Sequence, residues 1–344
     1  MNNDSKYVSS ETREKLEGFI FGYRSTAAVG VSLDLGLLDA VSRGQASSSS
    51  LAADLGLDQE WIDQLLRALQ QLSIVEGSPD HVDLSSLGSY FVKNESIRAA
   101  MTYAWRVSYP NYLNLMALFS TDISNEARHP SASLFYDTLM MDGKSRDVYS
   151  QMLRIDTLGQ RMGALLQGEL KGYIYDIGGG DGTMLSYLLQ SNPEAEGFIL
   201  ERPDVADYVR ATKVDSINSI TGRLHILDGD FRVSVPSNGQ YYIYCRVFAN
   251  WCDKEVSNLM AVLRKAIPMS SKFLIVEQLL PEDWQKQGFA GVANLDLVAN
   301  FGGHLRSVDS FKNILSNTGF SLNGVIPLTE SDESNWCLLI AAPR

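Results

Sequence analysis

From residue 172 to the C-terminus, short apolar runs alternate with amphipathic helical stretches, and this rhythm constrains the fold more than any other feature. Tyr173–Ile177, Gly197–Leu200, Leu224–Leu227, Tyr241–Arg246, Lys272–Gln278 and Trp336–Ala341 read as strands. Helical patterns separate most of them, which predicts an α/β domain with a mostly parallel sheet covered by helices on both faces.

The first of these strands runs into the stretch YIYDIGGGDGT, where Gly178, Gly179, Gly180 and Gly182 follow one another closely. A strand that ends in Gly-x-Gly and feeds a helix is a nucleotide site in open parallel sheets, with the ligand at the carboxyl ends of the strands. Dinucleotide sites use Gly-x-Gly-x-x-Gly. Here Gly178, Gly180 and Gly182 give Gly-x-Gly-x-Gly, which suits a smaller adenosyl ligand without a pyrophosphate. The second strand ends in Glu201, 23 residues after Gly178, where an acid can accept both ribose hydroxyls. The third ends in LDGDF, which offers the Asp230 carboxylate to an adenine amino group and the Phe231 ring to its face.

Upstream, the pattern is helical. Residues 13–41 carry apolar positions at helical spacing. A capped helix, a turn at Gly56 and a longer helix follow, then a short β-like piece at His81–Leu84 and SSLGSYFV. Helix–turn–helix plus a small hairpin is a winged-helix pattern. Its second helix, DQEWIDQLLRALQQL, holds one Arg against three acids, a poor match to phosphate, so a dimerisation module is expected rather than a DNA reader. Residues 98–170 are helical and rich in aromatics and methionine, among them Trp105, Tyr109 and Met116. Such residues serve either as plain core or as the lining of an apolar pocket for a flat ligand. The resulting division is residues 1–100 for a winged-helix-like dimerisation domain, 101–170 for linking helices that contribute to the substrate pocket, and 171–344 for the Rossmann-like domain.

The stretches DIGGGDG, ILERPDV, DGDF, RVFANWCD, FLIVEQLLPE, LDLVANFGGHLRS and NTGF together resemble the S-adenosylmethionine-dependent small-molecule O-methyltransferases, over nearly the whole chain. The resemblance implies a helical N-terminal dimerisation domain and a Rossmann-like catalytic domain. It implies that Gly178, Gly180, Gly182, Glu201, Asp230 and Phe231 hold S-adenosylmethionine. Cys245 sits where a small or basic side chain usually helps, and Arg246 either orients the cofactor or is structural. Asn300, within LDLVANFGGHLRS, is a substrate-binding candidate alongside Trp105, Tyr109 and Met116.

One departure matters. Family members commonly carry His-Asp-Trp after the fourth strand, with the His as general base, whereas this chain has Ala249, Asn250 and Trp251. Of two supporting acids usual in plant members, one matches Glu277 and the other falls on Leu305. The bacterial anthracycline branch and a phenazine N-methyltransferase similarly lack the His, which implies transfer by positioning an acidic or already nucleophilic acceptor. Asn250, Glu277 and His304 are the catalytic candidates, with Asn250 placing a substrate oxygen and His304 as a substitute base or a surface residue. Relatives that keep the cofactor for hydroxylation or pericyclic chemistry give a second reading, and a catalytically silent binding protein a third.

Charge and cysteine usage exclude other classes. The net charge of −12 disfavours nucleic acid and anionic membrane surfaces. Cys245, Cys252 and Cys337 make no Cys-x-x-Cys, and the four histidines have no metal-ligand spacing. The polar N-terminus has no signal core and no apolar run reaches the length of a membrane span. The expectation is a cytoplasmic homodimeric methyltransferase, without metal, acting on a hydroxyl or alternatively a nitrogen of an aromatic or polyketide-like metabolite.

Overall fold

The computed structural model describes residues 9–44, 46–113, 115, 119, 130–153, 158–212, 220, 222–281, 283, 290–329 and 335–344. The chain forms two compact units, residues 1–110 with 147–152, and residues 111–146 with 153–344. Residues 101–170 are thus distributed over both units.

The first unit begins with α1 (Ser10–Asp34), capped by the Ser9 side chain, which accepts from the Thr12 N–H. The helical pattern read over 13–41 is interrupted. Gly36 adopts a left-handed φ of 72° and starts α2 (Leu37–Ser42) as a separate helix. In α3 (Ser48–Leu55), Ser47 and Ser50 form a reciprocal capping box, and Gly56 ends the helix in the left-handed conformation. Asp58 caps α4 (Gln59–Gln71), whose Ile62, Leu66 and Leu69 are buried at helical spacing. The wing is the antiparallel hairpin of β1 (Val75–Ser78) and β2 (His81–Leu84). SSLGSYFV then forms a helix, α5 (Ser86–Lys93), because Ser85 accepts from the Gly88 N–H as a cap. It is followed by α6 (Glu95–Tyr103), capped by Asn94.

The second unit contains α7 (Ala132–Met141), the helix α8 (Gly143–Leu153) whose residues 147–152 group with the first unit, and α9 (Leu158–Leu165). Strand–helix alternation follows: β3 (Gly172–Ile177), α10 (Thr183–Ser191), β4 (Ala195–Glu201), α11 (Pro203–Thr212), β5 (Leu224–Asp228), β6 (Tyr241–Cys245), α12 (Asp253–Ala266) and β7 (Lys272–Gln278). The unit closes with α13 (Ala290–Phe301), α14 (Val308–Asn317), β8 (Phe320–Pro327) and β9 (Trp336–Pro343). Among the described residues these strands form a seven-stranded sheet in the order β5-β4-β3-β6-β7-β9-β8. Strands β3 to β7 are parallel, and β9 inserts antiparallel between β7 and β8.

The chain runs outward from β3 to β5 and then crosses back to place β6 on the other side of β3. That reversal opens a crevice at the carboxyl ends of β3 and β6, the usual ligand position in open α/β sheets. One face of the sheet is sealed by Ile174, Ile199, Ile243 and Leu274, packed with Leu185 and Leu188 of α10. Within this sheet, β8 is the strand that the sequence reading omits. It is a sheet-edge strand carrying Asn323 and Gly324, with a register shift between Leu322 and Gly324, so its apolar alternation is interrupted.

Candidate active site

The crevice is built first by the glycine turn after β3. Gly178, Gly180 and Gly182 have φ of 70°, 55° and 78°, a region that other residues rarely enter. Gly179 is needed for a different reason, since a Cβ there would lie 2.7 Å from Asp176 Cγ. A Cβ on Gly180 would meet nothing within 4 Å, so the tip of the turn faces open space. Glu201 braces this turn from the end of β4. Its Oε1 accepts from the Gly180 N–H at 3.0 Å and its Oε2 from the Arg202 N–H at 3.1 Å. Burial raises its pKa against the opposing pull of those two bonds.

Asp176, on β3 just before the turn, was not among the sequence candidates. It is fully buried, and neither carboxylate oxygen has a hydrogen-bond partner among the described residues. Burial and the Glu201 charge push its pKa up to about 7, against the pull of Arg246. An orphaned buried carboxylate is costly, and a cation at this place would relieve it.

At the end of β5 the two halves of Gly-Asp-Phe do different things. The Asp230 carboxylate accepts from Arg232 Nε and Nη2 at 2.7–3.0 Å and from the Arg232 backbone N–H, which holds its pKa low. Arg232 also reaches Ser133 Oγ at 2.7 Å. Phe231 goes to the glycine turn, where its ring would sit 3.5 Å from a Cβ on Gly178, and its edge meets Trp251 and Tyr244. The sequence reading gave the Asp230 carboxylate to an adenine. In the fold, the arginine two residues on also engages it, and the carboxylate keeps further lone pairs.

After β6 the chain makes a tight turn. Cys245 is half-buried at the strand end, and Arg246 adopts a left-handed φ of 58°. The Arg246 guanidinium donates to the Leu153 carbonyl at 2.8 Å. A short helical turn, Phe248–Asn250, follows, with Val247 against the glycine turn. Glu277, on β7, lies behind this turn, and its Oε1 accepts from the backbone N–H of Phe248 at 2.7 Å and of Ala249 at 3.3 Å. Burial pushes its carboxyl up to about 7. The Glu277 carboxylate, a catalytic candidate in the sequence, thus holds the backbone of this turn.

Arg306, absent from the sequence candidates, completes the support. It is buried and donates to the carbonyls of Phe248, Trp251 and His304 and to Asp253 Oδ1, four bonds within 2.7–3.2 Å. His304 lies beside it, with Nε2 3.2 Å from Asp253 Oδ1. Burial and the Arg306 charge lower its pKa, opposed by Asp253. It is a half-buried member of this bracket, neither a plain surface residue nor an unengaged base.

Ala249 and Leu305, the positions that depart from the family pattern, lie together in a buried apolar cluster with Ala290, Leu280 and Leu297. Asn250 is buried and its Nδ2 donates to Tyr136 Oη at 2.7 Å and to the Arg246 carbonyl at 3.2 Å. Asn300, buried on α13, accepts from Asn111 Nδ2 at 2.7 Å. One turn earlier on α13, Asp296 bonds Tyr112, whose phenol is pushed up to about 12, chiefly by burial. Trp105 and Tyr109 belong to the first unit, where their rings stack at 5.9 Å and Trp105 Nε1 donates to Asp34 at 3.2 Å. Met116 lies outside the described residues. Among the described residues no group of His, Cys, Asp and Glu could hold a metal ion, and no helix is long and apolar enough to cross a membrane.

With this geometry in place, comparison with known proteins is informative. The family model for the O-methyltransferase domain matches residues 132–321, and the model for the O-methyltransferase dimerisation domain matches residues 18–94. The chain is 25% identical over 323 residues to the phenazine O-methyltransferase PhzM of Lysobacter antibioticus, covering 90% of this chain and 91% of that one. It is 25% identical over 355 residues to the O-demethylpuromycin-O-methyltransferase of Streptomyces alboniger, covering 96% and 89%. Its fold is similar to that of the mitomycin 7-O-methyltransferase MmcR, with a TM-score of 0.83 at 21% identity over 97% and 98% of the two chains.

The residues present fit S-adenosylmethionine. The orphaned Asp176 carboxylate suits the ammonium of its amino-acid end. The open face of Gly180 admits close backbone approach, and Glu201 retains lone pairs for ribose hydroxyls. Phe231 offers an aromatic surface beside the turn.

Proposed function

The chain belongs to the O-methyltransferase family, and within it we propose an enzyme that methylates a hydroxyl of an aromatic or polyketide-like metabolite by positioning the acceptor, without a histidine base. The observation that carries this reading is the shared apolar cluster of Ala249 and Leu305, which leaves neither position able to take a proton. When bound, S-adenosylmethionine supplies an electrophilic methyl group on a sulfonium.

The chain's own residues do the rest. Asp176, Glu201, the glycine turn and Phe231 hold the cofactor. Glu277 and Arg306 fix the backbone of the Phe248–Asn250 turn from behind. Asn250 and Asn300 address the acceptor, each already held by a neighbouring side chain. Aligning two reactants supplies about 7–11 kcal/mol of a barrier. A general base adds only about 10²–10⁴-fold, so an acidic acceptor dispenses with one at modest cost. The relatives that act on phenazine, puromycin and mitomycin frameworks support a flat, conjugated acceptor. The dimerisation-domain match and the exposed Phe19 and Ile20 on α1 support a homodimer.

The test is incubation of the protein with S-adenosylmethionine and a panel of phenols, hydroxynaphthoates and hydroxyquinones, followed by mass spectrometry. A gain of one methyl in a product supports the reading. The apolar Ala249–Leu305 cluster also suits a cyclase or hydroxylase that keeps the cofactor. Altered products with no methyl gained, and the cofactor unconsumed, would select that alternative.

A further inference from the structure

The helix α7 has two unlike edges. Ala132, Phe135 and Leu139 are buried and fall on one stripe of it. The Phe135 ring lies 4.2 Å from that of Phe301 at the end of α13. Just before α7 the chain sits on Gly302, where a Cβ would come within 2.3 Å of the Pro130 carbonyl oxygen. This edge is apolar and closely fitted. The other edge is polar and partly exposed. Ser133 and Asp137, one turn apart, each meet an arginine. Arg232 Nη1 donates to Ser133 Oγ at 2.7 Å, and Arg202 Nη2 lies 2.7 Å from Asp137 Oδ1.

The two arginines come from separate loops, after β5 and after β4, and each directly follows a residue at the glycine turn. Arg232 follows Phe231, which lies against Gly178, and Arg202 follows Glu201, which braces Gly180. Between the two edges of α7, Tyr136 Oη accepts from Asn250 in the turn after β6. The helix thus crosses from α13 to the carboxyl ends of β6, β5 and β4, the mouth of the crevice. Each arginine also has a carboxylate within its own loop, Asp230 for Arg232 and Asp204 for Arg202. Both charges are neutralised there, so the contacts to α7 tie elements together rather than balance charge.

We infer that Arg232 and Arg202 are positioning residues that fasten α7 as a strap over the adenosyl end of the crevice, and that the strap lifts at this edge, hinged on α13, for the cofactor to enter and leave. This rests on the assignment of the crevice to S-adenosylmethionine above. The difference between the two edges sets the direction of opening. Partly exposed polar pairs hold weakly and are screened by salt. A buried aromatic seat holds through removal of apolar surface from water, which salt does not screen. The arginine edge therefore opens first, and its two contacts set how often the crevice is open to exchange.

The experiment is rapid mixing of the full-length protein with S-adenosylhomocysteine, read by tryptophan fluorescence, with Trp251 beside Phe231 as a reporter. This probe carries no net charge near neutral pH, so salt acts on the strap and not on ligand steering. In the double variant Ser133→Ala with Asp137→Ala, both arginines keep their loop carboxylates and the buried stripe of α7 is untouched. Its association and dissociation rate constants should rise together, by about three- to tenfold, with Kd within about twofold of the unaltered protein. Added salt should speed exchange in the unaltered protein and have little effect in the double variant. Asp137→Glu keeps the charge and should exchange as the unaltered protein does. Pairs that only stabilise the fold would lower the melting temperature and leave both rate constants unchanged, which would overturn this inference alone. A rise in the dissociation rate constant without the association rate constant would also overturn it, since that marks a lost contact to the ligand and not a strap. No binding of S-adenosylhomocysteine or S-adenosylmethionine to the unaltered protein by calorimetry would overturn the cofactor assignment and this inference with it.

Discussion

The side chains of Ala249 and Leu305 share one buried apolar cluster. The two positions that would carry a base and its supporting acid are therefore spatial neighbours, and both are apolar. Restoring only one should not help. Ala249→His would bury an imidazole against Leu305, and an unpartnered buried polar group costs about 1–3 kcal/mol. The expected result is a lower melting temperature with no gain in methylation rate. Pairing it with Leu305→Glu should recover stability and give pH–rate curves a midpoint common to all acceptors.

Asp176 should link cofactor affinity to pH. Burial holds its carboxyl near 7, so between the ordinary aspartate value and 7 the folded state binds more protons than the unfolded state. Stability of the ligand-free protein contributed by this group is present at low pH and falls as pH rises through that window. Glu277, also near 7, acts in the same direction. A bound ammonium favours the carboxylate, so cofactor affinity should rise as pH climbs through 7. Asp176→Asn should weaken S-adenosylmethionine binding at least roughly tenfold and flatten this rise, as calorimetry at several pH values would show.

Glu277 and Arg306 should behave as supports. Glu277→Gln keeps an oxygen for the Phe248 N–H and should retain the methylation rate within a few-fold. An acid–base role would instead cost about 10²–10⁴-fold. Arg306→Ala leaves the Phe248 and Trp251 carbonyls without their donor, and should destabilise by about 1–3 kcal/mol for each in denaturant titrations.

Much of this arrangement is legible in the sequence, and the gaps have physical causes. The strands that flank the site are largely apolar runs that end at glycine or acid, so β3, β4 and β5 declare themselves. β8 does not, because an edge strand with Gly324 loses its alternation. SSLGSYFV becomes a helix through the Ser85 cap, which a short β-rich composition conceals. Asp176 is missed because one acid inside an apolar strand carries no pattern of its own, whereas its meaning comes from burial. The Arg232 pair on Asp230 goes unread because an i, i+2 ion pair in a loop leaves no periodic signal. Tyr136 and Arg306 act across 114 and 58 residues of sequence, on Asn250 and Phe248, distances that no local pattern reports.

The first helix offers a separate test. Phe19 is 84% exposed and Ile20 57% exposed on α1, an apolar face suited to a second copy of the chain. The double substitution Phe19→Asp and Ile20→Asp should yield a monomer by light scattering while helix content by circular dichroism is kept, since neither residue is in the buried core. The unaltered protein should be a dimer at micromolar concentration.

The most direct test of transfer without an enzyme base is the pH dependence of the methylation rate, at saturating substrate, across acceptors of graded hydroxyl acidity. The measurement is made on the unaltered protein and on His304→Ala, because His304 is the remaining imidazole near the Phe248–Asn250 turn among the described residues. The expected result is a midpoint that moves with each acceptor's own ionisation and is the same in both proteins, with rates within a few-fold. A midpoint fixed below the ordinary histidine value for every acceptor, together with a loss of about 100-fold or more in His304→Ala, would contradict the account and make His304 the base.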